Sequence, residues 1–249
     1  MQSKINFILQ HADNALILGH RNSEWCGHGP ILEQDIAISN ISLDLIGQAR
    51  NFYQYAAGLK NDGSTEDSFA YYRDADEFKN ILLVEQPNGD WAHTILRQFF
   101  FSAYQQLFFE KLAAGKDAQV AAIATKSLKE IAYHLRWSSE WVIRLGDGTE
   151  ESHARMKKAI DSLWEYTGEM FIPATYELSM VDEEFTPGVP ALLPAWLNKV
   201  KEVFDEATLP VPQSSISKQG GKDGRHTGHL TAILNELQSV ARTYPGLTW

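Results

Sequence analysis

Lys129-Glu130-Ile131-Ala132-Tyr133-His134 decides how this chain is read. The hexapeptide lies inside residues 117 to 145, where Val120, Ile123, Ser127, Ile131, His134, Ser138, Trp141 and Leu145 fall in line at the spacing of one helix face. Helical bundles that hold two irons through carboxylates use Glu-x-x-His, because positions i and i+3 share a face. Here the residue three before His134 is Ile131, and isoleucine ligates nothing. Glu130 is one position off, about 100° around the helix. The stretch has the outline of an oxygen-activating site without the metal chemistry.

Helical periodicity continues on both sides and strand alternation is scarce. A first helix is expected from about Ser3 to Gly19, striped by Ile5, Ile8, Leu9, Ala12, Ala15 and Leu16. Gly27-His28-Gly29-Pro30 breaks the chain, with Pro30 suited to the first turn of the next helix. That helix, about Ile31 to Leu59, is apolar on two faces, Leu32-Ile36-Leu43 and Ile38-Ile41-Leu45-Phe52, which places it in the middle of a bundle. A polar loop at 61–67 precedes a short helix from Tyr71 to Val84. An aromatic helix follows from Trp91 to about Ala114, then the long helix above. Gly146-Asp147-Gly148 stops it, and Thr149 starts a helix reaching Phe171. Pro187, Pro190 and Pro194 punctuate the chain before a helix at Ala195 to Ala207. An extended piece, Leu209-Pro210-Val211-Pro212, leads to a Gly-rich basic loop and a last helix, His226 to Arg242. Roughly seven or eight helices in one all-α domain, residues 1–249, is the expectation. No internal repeat or domain boundary stands out.

Composition sets the outer bounds. The 249 residues, 44% hydrophobic and 11% aromatic, suffice for a large core. A net charge of -10 argues against nucleic acid, whose affinity rests on cations. The single Cys26 fits a reducing cytoplasm. The N-terminal segment is too short and polar for a signal peptide, and no apolar run approaches the roughly 20 residues of a membrane span.

The catalytic motifs are absent. There is no Gly-x-Ser-x-Gly elbow, Walker loop or Gly-x-Gly-x-x-Gly after a strand, so no catalytic residue is assigned. Lys218-Gln219-Gly220-Gly221-Lys222-Asp223-Gly224-Arg225 is the one cationic, backbone-rich stretch. Lys218, Lys222 and Arg225 are the candidates to meet an anion such as a coenzyme A phosphate; the plainer reading is a solvated or partner-facing loop. One true Glu-x-x-His occurs, Glu150-Glu151-Ser152-His153, at a helix start where acidic residues suit the dipole. His226 and His229 share a face, for which capping or packing is expected rather than zinc.

Longer runs carry a family resemblance. Ser23-Glu24-Trp25-Cys26-Gly27-His28, Leu43-Asp44-Leu45-Ile46-Gly47-Gln48-Ala49-Arg50-Asn51-Phe52 and Leu83-Val84-Glu85-Gln86-Pro87-Asn88-Gly89 resemble the structural C subunits of bacterial phenylacetyl-CoA epoxidases. So do Lys129 to Arg136, Gly220-Gly221-Lys222 with His226-Thr227, and the closing Trp249; the likeness covers the whole length. It implies a ferritin-like helical bundle with flanking helices and a degenerate di-iron site. The positions that hold metal in the catalytic paralogue would be Ala15, Gly47, Arg50, Ser102, Ile131 and His134, with Arg50 paired to Asp44, Asp13 or Glu130. The resemblance further implies a noncatalytic subunit without a cofactor of its own. It would pair with a di-iron catalytic subunit that carries the iron and epoxidises the ring of phenylacetyl-CoA. A small subunit and a flavin/iron-sulfur reductase would complete that complex. Two alternatives stay open: an autonomous di-iron or manganese oxidase using Glu130, His134, Glu150 and His153, and a helical module binding a coenzyme A phosphate.

Overall fold

Helix starts in this chain are written by short polar side chains. Asp90 accepts the His93 N–H at 3.1 Å, Asp117 accepts that of Val120 at 2.9 Å, and Thr149 forms a reciprocal box with Ser152. Each satisfies donors that the first turn leaves without a helical partner. The computed structural model describes residues 1–182, 188–213 and 217–246; Pro187 and Trp249 lie outside them. Among the described residues every regular element is helical and none is a strand. They form two compact units, Met1–Pro87 with Gly220–Trp249, and Asn88–Gln219.

The first unit is founded on a hairpin of α1 (Gln2–Ser23) and α2 (Leu32–Lys60). The pair is antiparallel: Gly19 abuts Ser42 and Leu45, Asp13 meets Tyr53, and the Lys4 ammonium lies 5.4 Å from the Tyr55 ring. Helix α2 begins after Ile31 rather than at Pro30, and ends on Asn61 in the left-handed conformation, φ 49°. The helix buried on several faces is α1, not α2. Phe7, Ile8, Ala12, Ile17 and Leu18 are all 0% exposed, whereas α2 buries Ile38, Ile41, Leu45 and Phe52 but exposes Leu32, Ile36 and Leu43.

The single helix expected from Tyr71 to Val84 is instead α3 (Glu66–Tyr71), a 3-10 turn at Ala75–Glu77 and α4 (Leu82–Glu85). The cause is tertiary. The Lys79 N–H goes to the Asp13 carboxylate at 2.8 Å and the Ile81 N–H to the Asn14 side chain at 2.8 Å. Donors spent on α1 cannot continue a local ladder.

The second unit is founded on α5 (Trp91–Ala113) and α6 (Ala118–Gly146), followed by α7 (Glu150–Leu163), α8 (Thr175–Asp182) and α9 (Leu193–Glu206). Helix α7 gives way to two 3-10 turns before Phe171, shorter than the sequence suggests. The core is aromatic. Phe100 and Trp196 are 5.7 Å apart, Phe171 lies 5.3 Å from Trp196, and the Trp196 indole donates to the Phe100 carbonyl at 3.0 Å. In the first unit α10 (Gly228–Leu237) and α11 (Ser239–Thr243) divide the expected last helix. Gln238 donates to the carbonyls of Ala70 and Arg73, tying this end to α3.

Asp13 is the strongest single determinant of the first unit. Its carboxylate is 0% exposed, and it receives Tyr53 Oη at 2.6 Å, the Arg73 guanidinium and the Lys79 amide. Removing one member of such a buried pair strands the other. Asp13→Asn should therefore cost about 3–5 kcal/mol in urea unfolding, with Arg73→Met in the same chain restoring part of it. A loss of less than about 1 kcal/mol would refute the assignment.

Candidate functional site

The six positions suggested for a vanished metal site can be placed one by one. Ala15 is buried in α1, Ser102 in α5, and Ile131 and His134 in α6. Gln98 donates to the Ser102 hydroxyl at 2.8 Å, and Ser138 donates to the His134 carbonyl at 2.7 Å. Gly47 and Arg50 do not point inward. They fall on the exposed side of α2, one to two positions off the buried row of Leu45, Ala49 and Phe52. Arg50 is paired with Glu66 at 3.3 Å, its side chain 67% exposed, and not with Asp44, Asp13 or Glu130. The buried arginine that meets Asp13 is Arg73, which sequence reasoning missed. Of the six side chains only His134 is a metal ligand by type, so this donor set does not fit iron. Among the described residues no group of three or more His, Cys, Asp or Glu side chains is placed to hold a metal. His153 turns Nδ1 to the Gly146 carbonyl at 2.7 Å, and Glu151 pairs with Arg155.

The basic loop also resolves differently from its sequence. Lys218 is held by Glu165 and lies 4.9 Å from the Tyr166 ring. Arg225 is exposed and paired with Asp223 at 3.2 Å. Lys222 is only 4% exposed. The reason is packing: a Cβ on Gly221 would overlap the Asn80 carbonyl, so the glycine lets the loop press its backbone onto that segment.

Beside this loop Glu85 and His226 form a second buried node. Glu85, 0% exposed, accepts from His226 Nδ1 at 2.7 Å, the Thr227 amide at 2.7 Å, the Thr227 hydroxyl at 2.8 Å and Asn80 at 2.9 Å. His226 Nε2 faces the Phe78 carbonyl at 3.0 Å. A carboxylate and a carbonyl facing the two ring nitrogens are an arrangement that favours the doubly protonated ring. Burial opposes that charge, but the Glu85 hydrogen bond and charge outweigh it, with the Phe78 carbonyl and Asp13 adding to them, and the pKa is raised. The cap of α10 is Thr227, which accepts the His229 N–H at 3.3 Å, while His226 is packed against Glu85. His11 behaves oppositely: burial, and then the Lys222 charge, bring its pKa down to about 3.

The remaining feature is the outer face of α2. Leu32 is 72% exposed, Ile36 52%, Leu43 66% and Ile46 40%. These residues recur at helical spacing as a row of large apolar side chains open to solvent. Single exposed apolar residues are ordinary, whereas several on one helix face are candidates for an interaction surface.

The family described as phenylacetic acid catabolic protein matches residues 1–249. The chain is 46% identical, over 243 residues, to an Escherichia coli (strain K12) protein described as the C subunit of 1,2-phenylacetyl-CoA epoxidase; the match covers 98% of each chain.

The two histidines give a pH signature. Below pH 6.5, the ordinary histidine value, the unfolded chain protonates His11 while the folded one refuses the proton, so stability falls toward acid. His226 contributes fully below that value, and its contribution is lost as pH rises through its raised folded pKa. Every tenfold difference in proton affinity between the folded and unfolded chain corresponds to about 1.4 kcal/mol. Urea titrations from pH 4 to 9 should show a decline on both sides of neutrality. His226→Gln should abolish the alkaline limb and leave the acid limb; an unchanged alkaline limb would refute the imidazolium.

Proposed function

We infer function from kinship first: the chain belongs to the phenylacetic acid catabolic protein family, and its role lies in phenylacetate catabolism. Within that role we assign it to a multi-subunit epoxidase as the noncatalytic, structural subunit. Its partner is the di-iron catalytic subunit, which holds the iron and acts on phenylacetyl-CoA in the cytoplasm. The small subunit and the flavin/iron-sulfur reductase complete the assembly.

The observation that carries this reading is the second apolar face of α2, from Leu32 to Ile46. The chain's own fold covers the Ile38-Ile41-Leu45-Phe52 face and leaves the other to solvent. Burying apolar surface yields about 25 cal/mol per Å², and obligate subunit interfaces exceed roughly 2,000 Å². A partner seated on α2 would recover that energy and be held against a rigid helix. The mechanism is therefore mechanical: α2 sits on the charge-locked hairpin with α1, and that stiffness is offered to the neighbour's catalytic helices. The donor set supports the same reading, since Ile131 stands where a ligand would be needed beside His134. The alternative of an autonomous oxidase lacks a liganding cluster among the described residues.

Two measurements test this. After anaerobic Fe(II) loading and desalting, the purified chain should retain well below one equivalent of iron, and the same holds for manganese. Near two equivalents would make it an enzyme in its own right. Epoxidation by the catalytic subunit with its reductase should depend on adding this chain; equal rates without it would overturn the structural role.

A further inference from the structure

We propose that a cavity in the first unit, framed by α1, α2 and α3, is the socket for one large apolar side chain of the catalytic subunit, carried on a segment with basic flanking residues. This rests on the pairing argued above and names the contact that anchors it.

The cavity measures about 230 Å³. Leu16 from α1, Ala49 and Tyr53 from α2 and Ala70 from α3, all buried, line it. Ile46, 40% exposed, forms part of its wall. The Arg50–Glu66 pair, at 3.3 Å, lines it together with Asp67.

Three facts select the occupant. First, Ile46 belongs both to the cavity and to the exposed row that starts at Leu32, so the cavity is where that row becomes concave. Whatever covers the row reaches the cavity without leaving the face. Second, the volume lies below the roughly 300–1,000 Å³ of small-molecule pockets and suits a single side chain. Interfaces concentrate their binding energy on anchors seated in pockets of this kind, with aromatic residues prominent among them. Third, the charge is one-sided. Glu33 and Asp44 flank the row on α2, and Glu66 and Asp67 stand by the cavity, against Arg50. Acidic surroundings of an apolar socket are complemented by Lys or Arg beside the anchor and disfavour a second copy of this acidic chain. The net charge of -10 adds to that repulsion.

The test uses the full chain and the separately purified catalytic subunit, with binding followed by isothermal titration and mass by light scattering. Ile46→Glu puts a charge at the mouth, on a side chain already partly in water. Ala49→Leu fills the cavity from within while leaving the exposed row intact. Circular dichroism melts check that each variant folds. The expected result is binding of the wild type, at least tenfold weaker binding by each folded variant, and weakening of the wild-type complex as salt rises. If Ala49→Leu does not fold, Ile46→Glu and the salt series decide. Wild-type affinity in a folded variant overturns the socket while the subunit pairing stands. No binding by the wild type overturns the pairing and the socket together. Self-association of the wild type that Ile46→Glu abolishes would give the face to a second copy and refute the assigned occupant.

Discussion

A carboxylate with no exposure to water sits near the middle of α1, and the first unit is arranged to keep it satisfied. Asp13 draws in Tyr53 from α2, Arg73 from beyond α3 and the Lys79 amide. Arg73 in turn lies over the Phe78 ring at 4.1 Å, so the charge pair is roofed by an aromatic face rather than water. Buried ion pairs are costly to assemble and costlier to break. Their use here is to fix one arrangement of segments too short to fold by propensity alone. Glu85 repeats the logic, with His226 and Thr227 brought from the far end of the sequence.

That internal locking makes sense of the outer face of α2. A helix can present an apolar row usefully only if it does not shift to hide it. Contacts on the inner side, with Ile38, Leu45 and Phe52 fully buried against the unit, leave α2 no freedom to roll its outer row inward. The exposed leucines and isoleucines are therefore a stable property of the folded chain. The polar nodes account for why this surface persists.

Much of this is legible in the amino-acid order, for identifiable reasons. The long helices announce themselves through their period, and the start of α7 through Thr149; the caps at Asp90 and Asp117 emerge only in the structure. The two apolar faces of α2 are equally plain, but sequence does not distinguish a face covered by its own chain from one left for another chain. Residues 66–85 mislead because their hydrogen bonds end on Asp13 and Asn14, about 65 residues away in sequence, where no local pattern can register them. Arg73 escapes notice for the same reason, and Arg50 draws it instead because the family resemblance sets Arg50 at a ligand position of the catalytic paralogue. Lys222 reads as one of several cations in a loop; the tight approach of Gly221 to Asn80 is what turns it inward. Glu85 lies within a run whose family likeness is visible, but its task needs His226 beside it.

The first unit is assembled from both ends of the chain, with residues 88–219 intervening as the second. During synthesis Glu85 emerges long before His226, and the second unit can complete itself in the interval. Closing so long a loop is tolerable in entropy, since each doubling of length adds only about 0.6 kcal/mol, but it cannot happen early. Until residues 220–238 leave the ribosome, the Glu85 carboxylate has no His226 beside it and the α3 segment has no Gln238 to hold it. A truncated chain would thus display an unfinished first unit next to a finished second one. The consequence is an order of assembly: the first unit gains its full set of buried polar partners only once α10 and α11 have been made.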